Sequence, residues 1–146
     1  MHGQLRSEII CPEPDCGNVS IKFDPFLMHT LELHKSLDMA RKSLNTASSD
    51  NMTIYDCLDQ DKAGTRLEEG NEWYCSQCKN RVLATKKLEL YRLPKILVFH
   101  FKRFNSTDKI TKTIDFPLEG LDLSRYYRGT EGAIYDCYAV SNHFGS

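Results

Sequence analysis

Two widely separated pairs of cysteines constrain the fold of this chain more than any other feature. Cys11 and Cys16 flank Pro-Glu-Pro-Asp, and Cys75 and Cys78 flank Ser-Gln. Each pair lies in a predicted turn, so the two thiols of a pair can point into the same space. Structural zinc takes four tetrahedral ligands, with sulfur at about 2.3 Å. The two turns therefore predict one zinc site, with a long segment inserted between its halves.

Two other chemistries stay open for these cysteines. The hexapeptide 73–78, Trp-Tyr-Cys-Ser-Gln-Cys, is compatible with a thioredoxin-like dithiol. That motif expects its cysteines near a helix N-terminus in a βαβ unit, whereas a basic strand is predicted after Cys78. Disulfides or free buried thiols are the third possibility. The N-terminus lacks the apolar core of a signal peptide, which favours a cytoplasmic or nuclear location, where metal sites are commoner than disulfides.

Length and charge limit the remaining classes of function. At 146 residues the chain is long enough for one domain with a sizeable core. It carries 19 basic and 20 acidic residues. That balance gives no electrostatic argument for binding nucleic acid, which usually needs a basic face. No apolar run approaches the roughly 20 residues of a membrane helix, so neither nucleic acid nor a membrane is an expected partner.

The most apolar run of the chain lies within residues 88–104. Residues 96–99, Ile-Leu-Val-Phe, are β-branched or otherwise strongly apolar, and an alternating tail follows them to Phe104. Pro94 precedes this run, and Asn105 and Ser106 follow it. Such a run predicts a strand that is buried on both faces at its start and lies inside a sheet.

A helix is predicted at about residues 53–63. Thr53 is followed three residues later by Asp56, in the manner of a capping box, and Gly64 is the latest possible end. The buried stripe of this helix would consist of Ile54, Cys57 and Leu58. We interpret Cys57, and Cys137 within a later predicted strand, as buried core thiols and not as nucleophiles.

Alternating apolar and polar residues predict strands elsewhere. Residues 19–23 would form a half-buried strand that Asp24 and Pro25 interrupt. Residues 34–52 are predicted to be a flexible insert with a short amphipathic helix. Further strands are predicted at 82–91, 110–116 and 135–140, and a helical turn at 121–127.

Six stretches form a joint signature that covers nearly the whole chain. They are 3–26 with its first cysteine pair, 53–58, 73–87 with its second pair, 93–104, 115–117 and 138–143. Each alone is weak evidence, but together they are specific. Together they resemble the ubiquitin-specific proteases, which are cysteine peptidases that remove ubiquitin.

The resemblance implies an α+β, mostly β fold that corresponds to the zinc-ribbon fingers and part of the palm in that family's hand-like catalytic domain. The whole chain, 1–146, would be one partial catalytic domain. Its parts would be a first knuckle at about 4–33, the insert at 34–52, the helix at 53–63, a second knuckle at 71–92 and palm strands at 93–146. The fingers of the family hold the body of ubiquitin, so ubiquitin and ubiquitinated proteins are the expected partners. Zn2+, held by the four paired cysteines, would brace the fingertips.

The departures from the family are as informative as the match. Nothing in the chain matches the family's Asn-Thr-Cys nucleophile motif, and the sequence stops at Ser146 before its Gly-His-Tyr motif. His143 matches an upstream, non-catalytic histidine. The resemblance therefore implies a segment of a deubiquitinase with no catalytic residue of its own. The alternative is a zinc-ribbon binding module whose parent is also inactive. The helix departs from the family at Gln60 and Asp61, where the family tends to be apolar.

Overall fold

The computed structural model describes residues 2–33, 51–104, 109–130 and 132–143. Within these ranges the chain forms one α-helix and twelve short strands, so the α+β, mostly β prediction is confirmed. The predicted insert at 34–52 lies outside the described residues, except for residues 51 and 52. A membrane-spanning helix is absent from the part of the chain that the structure describes.

A four-stranded antiparallel sheet carries the two cysteine turns. Its strand order is β2-β1-β8-β5. These strands are β1 (Gly3–Ile10), β2 (Val19–Phe26), β5 (Thr65–Arg66) and β8 (Thr85–Arg92). The long strands β1 and β2 form a hairpin whose loop contains the first cysteine turn. β2 lies at one edge of the sheet. It continues through Pro25, contrary to the prediction of a break, because an edge strand tolerates a missing amide donor.

The remaining strands are short and pair two by two. A hairpin of β6 (Trp73–Cys75) and β7 (Asn80–Val82) carries the second cysteine turn. The other pairs are parallel β3 (His29–Glu32) with β9 (Phe99–Lys102), parallel β4 (Met52–Thr53) with β10 (Ile114–Asp115), and antiparallel β11 (Leu121–Asp122) with β12 (Ile134–Tyr135).

Helix α1 (Ile54–Ala63) begins and ends where its sequence predicts. The backbone N–H of Thr53 donates to Oδ2 of Asp56 at 2.7 Å, and the N–H of Asp56 donates to Oγ1 of Thr53 at 3.2 Å. This reciprocal pair is a capping box, which satisfies two backbone donors at the helix start. Gly64 closes the other end, and its N–H donates to the Gln60 carbonyl. The predicted buried stripe is confirmed: Ile54, Cys57 and Leu58.

The core is divided between two clusters. The larger one joins α1 to the inner face of the sheet and to the short strands, and its fully buried members include Leu31, Leu90 and Leu123. The smaller one surrounds the cysteine turns and contains Val82 and Ala84. The cysteine turns thus lie at a distinct end of the sheet with a hydrophobic cluster of their own.

The prediction of a central strand buried on both faces was wrong. Strand β9 begins only at Phe99, and β3 is the one strand that pairs with it among the described residues. Ile96 is 58% exposed and Val98 is 43% exposed. An apolar run indicates that a strand suits burial, but each face is buried only where a helix or another sheet packs on it. No element among the described residues covers Ile96 and Val98 in this way.

Four other predictions in the second half of the chain need correction. Of the strand predicted at 110–116, only Ile114–Asp115 pairs, and of that predicted at 135–140, only Tyr135 does. Residues 121–127 form strand β11 followed by a turn, in which the Tyr126 N–H donates to the Leu123 carbonyl at 2.9 Å. Because β12 ends at Tyr135, the side chain of Cys137 is exposed instead of buried.

Candidate metal centre

The first cysteine turn connects β1 to β2. Cys11 follows the end of β1, and its N–H donates to the Asn18 carbonyl at 2.9 Å, which closes the loop. Within the loop the Cys16 N–H donates to the Glu13 carbonyl at 3.0 Å. Gly17 then has a φ of 57°, a left-handed conformation that glycine adopts without steric cost. These features turn both thiols toward the same side of the loop.

The second cysteine turn closes the β6–β7 hairpin. Cys75 is the last residue of β6 and pairs with Asn80, the first residue of β7. Cys78 lies in the turn between them, and Lys79 after it has a φ of 56°. A left-handed residue therefore follows the second cysteine in both turns, but only the first turn uses glycine there. A strand, and not a helix, follows Cys78.

The structure brings all four predicted ligands together. The four Sγ atoms lie within 4.8 Å of one another. The sulfurs of Cys11 and Cys78 are 3.8 Å apart, and those of Cys16 and Cys75 are 3.6 Å apart. A tetrahedron with zinc–sulfur bonds of about 2.3 Å has sulfur–sulfur edges of about 3.8 Å, whereas a disulfide needs about 2.05 Å. The donor set and its spacing fit one tetrahedral zinc ion.

The protonation preferences of the four thiols differ. Cys75 is fully buried, which raises its pKa. Hydrogen bonds from the Cys78 backbone, the Asn18 amide and the Gln77 backbone outweigh burial and bring the pKa of Cys75 to about 6. Neighbouring sulfur atoms, Cys16 first, and burial raise the pKa of Cys78 above its ordinary value. Burial likewise raises the pKa of Cys11. Four thiolates at one point repel each other, and a coordinated cation removes that repulsion.

Hydrophobic side chains pack around the buried half of the sulfur cluster: Cys11 and Cys75 are buried, whereas Cys16 and Cys78 are partly exposed. Val82 and Ala84 are buried beside Cys75, and Trp73 and Leu67 pack against them. The Leu67 N–H donates to the Ala84 carbonyl at 2.8 Å, which ties the segment after β5 to this end of the sheet. A hydrophobic, hydrogen-bonded shell of this kind is typical of structural zinc sites, which leave no coordination position open.

The two remaining cysteines differ in burial. Cys57 is buried, and its sulfur is 3.7 Å from that of Met52. Burial, followed by the charges of Asp56 and Asp61, raises the pKa of Cys57 to about 12, so the thiol stays protonated. The exposed thiol of Cys137 donates to the Ala139 carbonyl at 3.6 Å. Neither sulfur hydrogen-bonds to a histidine within the described ranges, and a thiolate nucleophile would need such a base.

The described histidines lie in different environments. His143 is exposed and packs edge-on against Phe104, with ring centroids 5.5 Å apart. His100 is exposed, because β9 leaves one face open. His29, which has no neighbouring motif in the sequence, is buried against Asp61. The contact between the Asn18 amide and the Cys75 sulfur was not predicted from the sequence. The only indication in the sequence is that Asn18 follows directly after the first cysteine turn.

Comparison with known proteins agrees with this geometry. The family described as Ubiquitin carboxyl-terminal hydrolase matches residues 1–146. Ubiquitin carboxyl-terminal hydrolase 12 of Saccharomyces cerevisiae is 41% identical over 119 residues, which are 77% of this chain and 10% of the yeast protein. Human ubiquitin carboxyl-terminal hydrolase 3 is 36% identical over 99% of this chain and 29% of its own length. The chain thus spans less than a third of these curated relatives.

Solved structures give the same result at the level of the fold. A chain of the yeast SAGA DUB module with a mutant Sgf73 superposes with a TM-score of 0.65 at 30% identity, over 92% of this chain and 28% of that one. A chain of the SAGA Ubp8/Sgf11/Sus1/Sgf73 DUB module bound to ubiquitin aldehyde gives 0.57 at 27% identity, over 89% and 26%. The match to the family extends over every residue of the sequence, and we conclude that this chain belongs to the ubiquitin carboxyl-terminal hydrolase family.

Proposed function

We propose that this chain is the ubiquitin-binding part of a cysteine-type deubiquitinase, with the catalytic residues supplied from outside it. The fingers segment would comprise the two knuckles at about 4–33 and 71–92, and the palm segment would comprise the strands at about 93–146. The parent reaction would be thiol-dependent hydrolysis of the isopeptide bond after the C-terminal glycine of ubiquitin. Ubiquitin and ubiquitinated proteins would be its partners, in the cytoplasm, the nucleus or both.

In this proposal the four paired cysteines, Cys11, Cys16, Cys75 and Cys78, hold one structural zinc ion. The zinc would link the tips of the two hairpins, which share a small hydrophobic cluster. The thiolates fill a tetrahedral shell, so the metal would brace the fingers segment and take no part in bond cleavage. A strand follows Cys78 where a dithiol oxidoreductase would have a helix, and all four sulfurs lie together, so the redox hypothesis has little support.

The observation that carries the binding role is the exposed face of the fingers sheet. Helix α1 covers the face that carries Leu5 and Leu90, and their strand neighbours point the other way. On that other face, β2 presents Val19, Ile21 and Phe23, which are 46%, 47% and 45% exposed. These side chains were predicted to be half-buried, and no described element covers them.

This exposed apolar stripe continues onto the neighbouring strands. The rings of Phe23 and Tyr91 pack with their centroids 4.5 Å apart, and Tyr91 is 45% exposed. On the same face, Arg6 of the central strand β1 donates to Glu89 of β8 at 2.9 Å, and both side chains are largely buried. A row of exposed apolar side chains beside paired charges is typical of a protein-binding surface. We propose that this surface contacts the folded body of ubiquitin.

A titration of isotopically labelled ubiquitin with the zinc-loaded chain tests this role. We expect chemical-shift changes in ubiquitin with the wild-type chain and a clear weakening with Phe23→Ser. Leu118 is also exposed but lies outside this surface, so Leu118→Ser is the matched control and should bind as the wild type does. Equal binding by all three chains would show that ubiquitin does not bind this face.

The absence of catalytic residues is tested separately. We expect the isolated chain to release no fluorophore from a ubiquitin-derived fluorogenic substrate. Turnover that disappears in Cys57→Ser or Cys137→Ser would contradict the proposal. Whether the parent is active is decided by its open reading frame, which must contain an Asn-Thr-Cys segment upstream and a Gly-His-Tyr segment downstream. A parent without them would be a zinc-ribbon binding module.

A further inference from the structure

We propose that Asn18 is a positioning residue for the zinc ligands, with its side-chain amide donating to the Cys75 sulfur while its backbone closes the first cysteine turn. This inference rests on the zinc site proposed above. It concerns a residue that coordinates no metal itself. Its role would be to fix the two cysteine turns against each other and to strengthen metal binding.

The geometry of Asn18 joins the two turns through different atoms. Its carbonyl oxygen accepts the Cys11 N–H at 2.9 Å, within the first turn. Its Nδ2 atom lies 3.2 Å from Sγ of Cys75, in the second turn. The left-handed Gly17 before it redirects the chain, so that Asn18 lies over the opposite hairpin. One residue thus contacts the ligand set of both halves of the site.

The hydrogen bond from Asn18 matters because its acceptor, the Cys75 sulfur, is buried and would be negatively charged. Cys75 is fully buried, so water is not available to replace a lost donor. Four thiolates on one zinc ion leave an excess of negative charge on sulfur, and N–H donors stabilise that charge. The other donors to the Cys75 sulfur are backbone N–H groups of its own turn, at Gln77 and Cys78. Asn18 supplies the donor from the opposite turn. This hydrogen bond therefore forms only when the two turns have the correct relative orientation.

The expected effect follows from other metal sites. Removal of a residue that hydrogen-bonds to a metal ligand typically costs about 10- to 100-fold in metal affinity. Asn18→Ala removes the amide but keeps the backbone carbonyl that closes the first turn. Asn18→Asp keeps the size of the side chain but places a carboxylate beside a thiolate. Its loss of zinc affinity should therefore exceed that of Asn18→Ala.

Competition for zinc between the purified chain and a chromophoric chelator measures the affinity. Asn80→Ala is the matched control, because Asn80 lies in the second hairpin but its exposed side chain accepts from the Arg81 N–H and contacts no sulfur. We expect a 10- to 100-fold loss for Asn18→Ala, a larger loss for Asn18→Asp and no loss for Asn80→Ala.

Substitution with Co2+ provides a second measurement, the absorption spectrum of the bound metal. The spectrum would stay unchanged if Asn18 only stabilised the fold of the turn. A hydrogen bond to a thiolate lowers the energy of its lone pairs, so its removal should shift the sulfur-to-cobalt charge-transfer bands to longer wavelength. Wild-type affinity and spectra in both Asn18 variants would overturn the inference and leave the zinc site intact. So would an equal loss in Asn80→Ala. A wild-type chain that binds neither metal would overturn the inference together with the zinc site.

Discussion

The Nε2 atom of His29 lies 2.9 Å from Oδ2 of Asp61, in a position where only 4% and 14% of the two side chains are exposed. His29 belongs to β3 and packs between the rings of Phe26 and Phe99. Asp61 belongs to α1, at a position that the resemblance to the family predicted to be apolar. Its carboxyl group instead has a polar partner across the core, and this pair fixes the helix against β3.

Replacing both members of this pair should destabilise the protein by less than the sum of the two single replacements. His29→Leu leaves the Asp61 side chain without its hydrogen-bond partner, and Asp61→Leu does the same to the buried imidazole, so each should cost about 1 to 3 kcal/mol. The double variant should cost less than the sum, because neither polar group is left unpaired. Urea unfolding of the zinc-loaded chain and its three variants measures the coupling. Additive losses would show that the contact contributes nothing of its own.

Glu89 should make the stability of the sheet depend on acid. Burial raises its pKa, but hydrogen bonds and charges from Arg128 and Arg6 outweigh burial and hold the pKa below its ordinary value. The folded state therefore binds this proton less readily than the unfolded state. Its contribution is fully present above the unfolded pKa of about 4.3 and is lost as the pH falls through the folded pKa.

The test of this pH dependence compares wild type with Glu89→Gln by denaturant unfolding between neutral pH and about pH 3. The variant should be less stable at neutral pH, and the difference should shrink below about pH 4.5. Loss of zinc in acid affects both chains and cancels in the comparison. Glu119→Gln, at an exposed carboxylate, is the control and should leave the curve unchanged. A constant difference across the range would contradict the assignment.

Lys79 has a left-handed backbone, with a φ of 56°, where the first turn has Gly17. Lys79→Gly should raise the melting temperature of the zinc-loaded chain, because glycine removes a strain of about 1 kcal/mol. Lys79→Val should lower it by more than that, because a β-branched residue resists this conformation most. Arg81→Gly is the control: Arg81 lies within β7, where glycine weakens a strand. Destabilisation by both glycine variants would argue against a strained turn.

Features that depend on neighbouring residues in the sequence were predictable. Thr53 and Asp56 are three residues apart, so the start of α1 could be inferred from their order alone. The clustering of the four paired cysteines could be inferred because each pair forms its own turn. The contact between His29 and Asp61 could not be, because nothing local distinguishes a buried imidazole from an exposed one until its partner on the helix is known.

The burial of apolar strands was the weakest part of the prediction, for a related reason. Alternation identifies two faces of a strand but not which face another element will cover. Phe23 and Val98 are both strongly apolar, and both are substantially exposed because no described element covers the side on which they lie. Asn18 was missed for the same cause, since its amide acts on a cysteine of the other hairpin.

Removal of zinc should loosen the fingers segment and leave the main core folded. Metal binding in small zinc peptides contributes about 10 to 16 kcal/mol to folding, and the cysteine turns have only a small cluster of their own to replace it. Chelation, or Cys75→Ser, should therefore accelerate amide exchange at 11–18 and 73–82 while α1 and β9 stay protected. Cys137→Ser, at an exposed cysteine outside the cluster, is the control and should exchange as the wild type does. Unchanged exchange at the two turns after chelation would mean that zinc does not hold them together.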